Sequence, residues 1–219
     1  MKQVKQLTLS AAVLAALVSG TASADLTGNV GATSNYMWRG TTQTGGGSSV
    51  SGGIDYSHDS GLYAGIWTAN TAFGSPETDF YVGFGGEAGG VGYDISVIQY
   101  SYLQTDNLDW VEVNASASMA DFTLAVGITS DVFGTDTSAT YVSGEYEMAV
   151  GKESSLTLHV GSYSFDDEAA AAFDNYVDYG LTLTKGDWSF AYSDTNLDAD
   201  IFTDGDPVFF VSWGTEVDL

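Results

Sequence analysis

The sequence predicts an all-β protein, an antiparallel up-and-down transmembrane β-barrel of about twelve strands. Three features predict it. Apolar and polar residues alternate with period two in segment after segment, the connections between segments alternate between short and long, and an export signal precedes them all. Successive side chains of a strand point to opposite faces, so each segment carries one greasy face and one polar or small face.

The signal comes first along the chain. Lys2 and Lys5 precede an apolar run from Leu9 to Val18, and Thr21-Ala22-Ser23-Ala24 supplies the small residues of an A-x-A cleavage site. The run is too short for a permanent spanning helix, so residues 1–24 are expected to be a signal peptide cleaved after Ala24 and residues 25–219 the barrel.

The first segment runs Leu26 to Trp38, with Leu26, Val30, Ala32, Tyr36 and Trp38 in phase against Thr27, Asn29, Thr33 and Asn35. Val50 to Tyr56 repeats the pattern, as do Phe80 to Gly85, Val111 to Met119, Phe122 to Thr129, Leu156 to Tyr163, Val177 to Thr184 and Trp188 to Ser193. Leu62 to Asn70, Val91 to Tyr102 and Val142 to Met148 follow it less cleanly, and Val208 to Trp213 closes the series with both faces largely apolar. Only Asp167 to Phe173 suggests a helical period.

Short connections fall at residues 58–61, 87–90, 120–121, 151–153 and 186–187, and longer ones at 40–49, 71–77, 103–108, 132–137, 166–174 and 195–206. They strictly take turns, the layout of an even-stranded outer-membrane barrel with short periplasmic turns and longer external loops. A soluble sandwich has no reason to sort its loops this way. Closure pairs every backbone group in lipid and removes the exposed sheet edges. Tyr36-Met37-Trp38, Tyr100, Tyr102, Trp110, Phe165, Tyr176 and Trp188 sit near segment ends, where interfacial girdles of aromatic residues are expected.

Composition narrows the partners. The 29 acidic residues all follow residue 24, where Arg39, Lys152 and Lys185 are the basic ones, and the whole chain carries a formal charge of −24. Nucleic acid is excluded as a partner, because its phosphates require basic patches. An aromatic content of 13% argues against disorder, and the absence of cysteine excludes a disulfide framework.

The stretch Gly28-Asn29-Val30, Ser34-Asn35-Tyr36, Arg39-Gly40 and Gln43 resembles the opening of the TorF-type porins. Gly52-Gly53-Ile54-Asp55-Tyr56 and Gly61-Leu62-Tyr63-Ala64-Gly65-Ile66-Trp67 are similar to the hairpin that follows in that family, and weaker likeness runs through residues 158–163, 179–185 and 191–195. The resemblance implies a small outer-membrane barrel acting as a porin, with no catalytic set. One departure is that such barrels usually finish on an aromatic residue; here Trp213 or Leu219 would have to serve in the assembly signal.

If the greasy face meets lipid, the other lines the lumen. The in-phase candidates are Asn29, Asn35, Arg39, Asp55, Asp94, Glu112, Asn114, Glu145, Glu147, His159 and Asp178, with Gly31, Gly53, Gly83, Gly85, Gly92, Gly127, Gly161 and Gly180 leaving room between them. The expected function is passive diffusion of small hydrophilic solutes, cation-preferring because carboxylates dominate the wall. The alternative is a non-conducting barrel acting as a receptor, adhesin or structural protein, its lumen filled by its own side chains and loops. Arg39 is expected at the end of the first strand, either narrowing the entrance through an acidic lumen partner or tying down the first loop.

No enzymatic constellation emerges: His159 and Ser162 fall on opposite faces of one strand, and His58 has only turn serines beside it. Asp194-x-Asn196-x-Asp198 has the spacing of a calcium loop, but Ala199 and Gly205 stand where that motif needs Gly and Glu, so a solvated acidic loop is expected. Cofactors and metals are not called for. The expected partners are outer-membrane lipid and lipopolysaccharide, the barrel-assembly machinery and small solutes.

Overall fold

The computed structural model describes residues 25–172, 174–197 and 207–219. The expected signal peptide, Phe173 and residues 198–206 of the last long loop lie outside them. In chain order the elements are β1 (Asp25–Thr33), β2 (Met37–Trp38), β3 (Thr41–Thr42), β4 (Ser49–Ser57), β5 (Leu62–Ala69), β6 (Glu77–Ala88), β7 (Val91–Ser101), β8 (Trp110–Met119), β9 (Phe122–Thr129), β10 (Ala139–Ala149), β11 (Ser154–Phe165), α1 (Glu168–Ala171), β12 (Tyr176–Lys185), β13 (Trp188–Thr195) and β14 (Val208–Asp218).

Twelve strands, β1 and β4 to β14, form one closed antiparallel barrel, each paired with its barrel neighbours in sequence. The seam joins β1 to β14, from Thr27 opposite Asp218 to Thr33 opposite Ser212, and the Leu219 N–H donates to the Leu26 carbonyl at 3.0 Å. No strand edge is left open within the barrel, as hydrocarbon demands.

The outer wall is the greasy face. Val50, Ile54, Phe80, Val82, Ile95 and Leu124 stand exposed there. Water would charge about 1.5–3 kcal/mol for each such side chain, a penalty that lipid removes. Among the described residues no helix is long and apolar enough to cross a membrane.

Tight turns join the strands at one end. Gly89 and Gly90 both have positive φ (64° and 82°), the backbone of the two-residue turn that matches strand twist and that only glycine adopts freely. At the other end, α1 is a single turn begun by Asp167, whose carboxylate accepts from the Ala170 N–H at 3.1 Å.

The packed core lies inside the barrel at the long-loop end. Tyr100, Trp110, Tyr141, Tyr163, Phe165 and Tyr176 are buried together there. This corrects the expected girdle: Tyr36, Tyr100, Tyr102, Trp110, Phe165 and Tyr176 point inward, and Trp188 alone of that set stands well exposed outside. Parity is the reason. Tyr100 shares its face of β7 with Asp94 and Ser96, and Trp110 shares its face of β8 with Glu112.

Candidate functional site

The lumen is shaped by a departure of the chain from the wall. The segment Leu26 to Trp38, expected as one strand, leaves the barrel after Thr33. Ser34 is still bonded to Val211 of β14, and at Asn35 the chain turns inward, the Thr33 hydroxyl donating to the Asn35 carbonyl at 2.8 Å and the Asn35 side chain accepting from the Thr42 hydroxyl at 2.6 Å. The chain then doubles back as the hairpin of β2 and β3, Met37 opposite Thr42 and Trp38 opposite Thr41. Its tip is Arg39-Gly40, with φ of 48° and 78°. Asn35 and Arg39 therefore belong to an inner hairpin, whereas the sequence reading placed them on the wall. The alternation misleads here because both arms are extended, and period two runs on through the turn.

Arg39 sits at the centre. Its guanidinium donates twice to Glu112, at 2.7 and 2.9 Å, and stacks on Trp38, Tyr141 and Tyr163 with centroid distances of 4.3, 4.2 and 4.8 Å. The Tyr176 hydroxyl donates to the Arg39 carbonyl at 3.0 Å. Both partners of the ion pair are buried, at 5% and 1% side-chain exposure. Burial opposes the charge on Arg39, but the facing carboxylate outweighs it and keeps the pKa well above the ordinary arginine value.

On one side the network continues along the wall. Tyr141 stacks on Arg39 and donates to Asp178 at 3.1 Å; Asp178 holds His159 Nε2 at 2.8 Å, and His159 Nδ1 meets Glu145 at 3.2 Å. Asp55 takes hydrogens from Asn29 Nδ2 at 2.8 Å and from the Tyr81 hydroxyl, and Asp94 takes one from Tyr63 at 2.9 Å. Asn114 Nδ2 is buried without a partner. Glu147 is exposed toward the short-turn end. The structure thus joins Arg39 to Glu112, with Asn114 beside it, and His159 to Asp178 and Glu145, and gives Asp55, Asp94 and Glu147 no bond to those pairs.

The inward glycines do not leave an open bore. The Tyr63 side chain lies over Gly83, Tyr81 over Gly65, Tyr141 over Gly161, and Glu112 with Asn114 over Gly127. Glycine on one strand accepts a long side chain laid flat from the next. Together with the inner hairpin, Tyr141, Glu112 and Asn114 crowd the long-loop half of the lumen, while Tyr63 lies nearer the short turns, where Thr123, Glu145, Thr157 and Thr184 are partly exposed and Glu147 is exposed.

Two carboxylates were missed by the sequence reading. Glu77 and Asp79 open β6, point inward and are buried, at 3% and 8% exposure. Glu77 accepts from Tyr36 at 2.5 Å and from Tyr102. Burial, then Glu77 itself, raises both phenol pKa values above the ordinary range and keeps the hydrogens in place. Their shared parity with Tyr81 is the available signal, obscured because Glu77 closes the long connection expected at residues 71–77.

At the end of β13 Asp194 turns outward and accepts from Tyr179 and Tyr192 at 2.8 and 2.9 Å, and Asn196, just beyond it, accepts from the Val177 N–H. Both ligand positions of the calcium-like spacing are thus occupied by other contacts, and Asp198 onward lies outside the described residues. His159 faces the lumen and Ser162 the outside.

No curated protein matches the chain. Among solved structures, the KdgM porin aligns with a TM-score of 0.55 at 8% identity, over 88% of this chain and 99% of that one. The Acinetobacter baumannii outer membrane protein Omp33 aligns at 0.54 and 11% identity, over 88% and 96%, and the NanC porin at 0.53 and 10%, over 89% and 98%. At such identities the likeness is one of fold. A family model matches residues 18–214, and the chain belongs to that family, described as bacterial protein of unknown function (Gcw_chp).

Proposed function

We propose that this protein is a porin-like channel of the outer membrane, exported by a signal peptide cleaved after Ala24, that passes small hydrophilic cations when its inner hairpin moves aside. The observation that carries the reading is the hairpin's attachment. It is docked inside a sealed barrel by noncovalent contacts alone, with one ion pair, Arg39 to Glu112, at its tip. The wall leading to it carries Asp55, Asp94, Glu145, Glu147 and Asp178. A carboxylate-lined approach lowers the energy of cations and raises that of anions.

The resemblance of residues 28–43 to TorF-type porins and the fold shared with KdgM and NanC support the same reading. Outer-membrane lipid and lipopolysaccharide would contact the apolar wall, the barrel-assembly machinery would insert it, and no cofactor enters. The second reading, a non-conducting receptor, adhesin or structural barrel, draws its support from the aromatic packing around Trp38, whose ring meets those of Tyr100, Trp110, Phe133 and Tyr163 edge-on.

Planar-bilayer recording of the purified protein decides between them. Discrete openings are expected, with a reversal potential in a KCl gradient displaced toward the potassium equilibrium value. A silent bilayer, with the protein inserted and heat-modifiable on gels, selects the non-conducting barrel.

A further inference from the structure

Charge accounting inside the barrel leaves two of its buried carboxylates unmatched. After residue 24 the chain has three Lys and Arg side chains. Arg39 is committed to Glu112, while Lys152 and Lys185 are exposed at the short-turn end. His159 is held by Asp178 and Glu145, and His58 sits in a short turn bonded to Ser60. No basic side chain therefore neutralises Glu77 and Asp79, which are buried beside the long-loop end of the lumen.

These two lie on one face of β6, two residues apart, or about 7 Å along the strand. Taking an isolated carboxylate out of water is prohibitive unless something compensates it. For Glu77 the compensation is partial, through the phenol hydrogens of Tyr36 and Tyr102, which favour its charged form. Asp79 receives none: its Oδ1 is fully buried and has no hydrogen-bond partner. No hydrogen bond joins the two acids, so they share no proton; Asp79 is left to a proton of its own or to a cation, and dependence on the salt separates the two.

Aromatic rings surround the pair. In the sheet register Asp79 stands between Trp67 and Tyr100, and Trp67 meets Tyr36 edge-on with centroids 5.7 Å apart. Ring faces attract cations and repel anions. We propose that Glu77 and Asp79 form a binding site for one small monovalent cation, an alkali ion or ammonium, held by carboxylate and phenol oxygens inside an aromatic cage. Its place on a conduction route rests on the channel reading above; binding itself does not, and is measured without current.

The test is thermal unfolding of the purified, detergent-solubilised barrel in sodium, potassium or ammonium chloride against N-methylglucamine chloride, too bulky for the site, at equal ionic strength. A small cation is expected to raise the transition by several degrees, on the order of 5 °C when present about a hundredfold above its Kd. The more effective salt identifies the ion. Asp79→Asn should abolish the difference, while Glu87→Gln, at the short-turn end, should keep it. Equal transitions in all salts, or a difference that persists in Asp79→Asn, overturn the site. Should that variant not fold, rubidium-soaked crystals of the wild type decide: an anomalous peak between Glu77 and Asp79 supports the site, and its absence overturns it. A wild-type barrel silent in the bilayer but stabilised by the small cation would refute the channel and leave the site standing.

Discussion

Replacing Arg39 by alanine tests how the hairpin is held. In the docked state the change leaves Glu112 at 1% exposure with no cation beside it. Removing one partner of a buried pair costs about 3–5 kcal/mol, because the remaining charge is neither hydrated nor matched. The three ring contacts of the guanidinium disappear as well, at about 0.5–2 kcal/mol each, although these share the same charge and do not simply add. When the hairpin leaves, water reaches Glu112 and the cost vanishes, so it falls on the closed state alone. At about 1.4 kcal/mol per tenfold, even the lower bound raises the open-to-closed ratio by roughly a hundredfold.

Single-channel recording measures that ratio as open probability, and acrylamide quenching of tryptophan, to which Trp38 contributes, reports the hairpin without requiring conduction. Arg39→Met with Glu112→Leu removes both charges and should restore closure, since an apolar pair of similar volume is often as stable as the ion pair it replaces. If Arg39→Ala changes neither open probability nor quenching, while the heat-modifiable band shows an intact barrel, the ion pair does not hold the hairpin and the argument from burial fails.

Other perturbations reach different parts of the same design. Gly40→Ala adds a Cβ that would overlap Thr195 and lie 2.6 Å from the Asp178 Cβ, at a φ of 78° that alanine disfavours; it should undock the hairpin with Arg39 still present, read as higher conductance. Gly83→Ala should lower the unfolding temperature, because the new methyl strikes the Tyr63 ring and disturbs its bond to Asp94. Val97→Arg, mid-strand on the lipid face, should cost about 2–4 kcal/mol in urea titrations of the vesicle-inserted barrel, against about 0–1 for Leu26→Arg near the membrane surface; equal costs would contradict the assigned lipid band.

Much of this architecture is legible in the sequence because a barrel wall is a one-dimensional code. Parity alone assigns Asp55, Glu112, His159 and Asp178 to the inner face, and turn lengths alone order the strands. The hairpin was not legible, for the same reason. A strand and the arm of an inserted hairpin share one backbone conformation, so residues 26–38 read as continuous, and the break rests on Ser34-Asn35, turn-formers that also occur in strands. Nor does alternation reveal what an inward glycine faces. Gly161 reads as space until the Tyr141 ring, from the neighbouring strand, is found lying over it.

The inner face nevertheless carries a direction that parity exposes once the closed end is known. Read from the short turns toward the long loops, β7 presents Asp94, Ser96, Ile98 and Tyr100; β11 presents Thr157, His159, Gly161, Tyr163 and Phe165; β12 presents Thr184, Thr182, Gly180, Asp178 and Tyr176. Each begins polar and ends aromatic. A uniformly aqueous bore gives no reason for that gradient, since aromatic rings facing water would lose the hydrophobic contribution that burial supplies. The gradient is accounted for if the wall at that end is built to receive another segment of the chain. The hairpin meets the need, laying Trp38 against Tyr100, Trp110 and Tyr163 and setting the lone arginine on Glu112, a carboxylate that would otherwise be stranded. The docking surface is therefore written across several strands and the docked piece in the first long connection, and each is costly without the other.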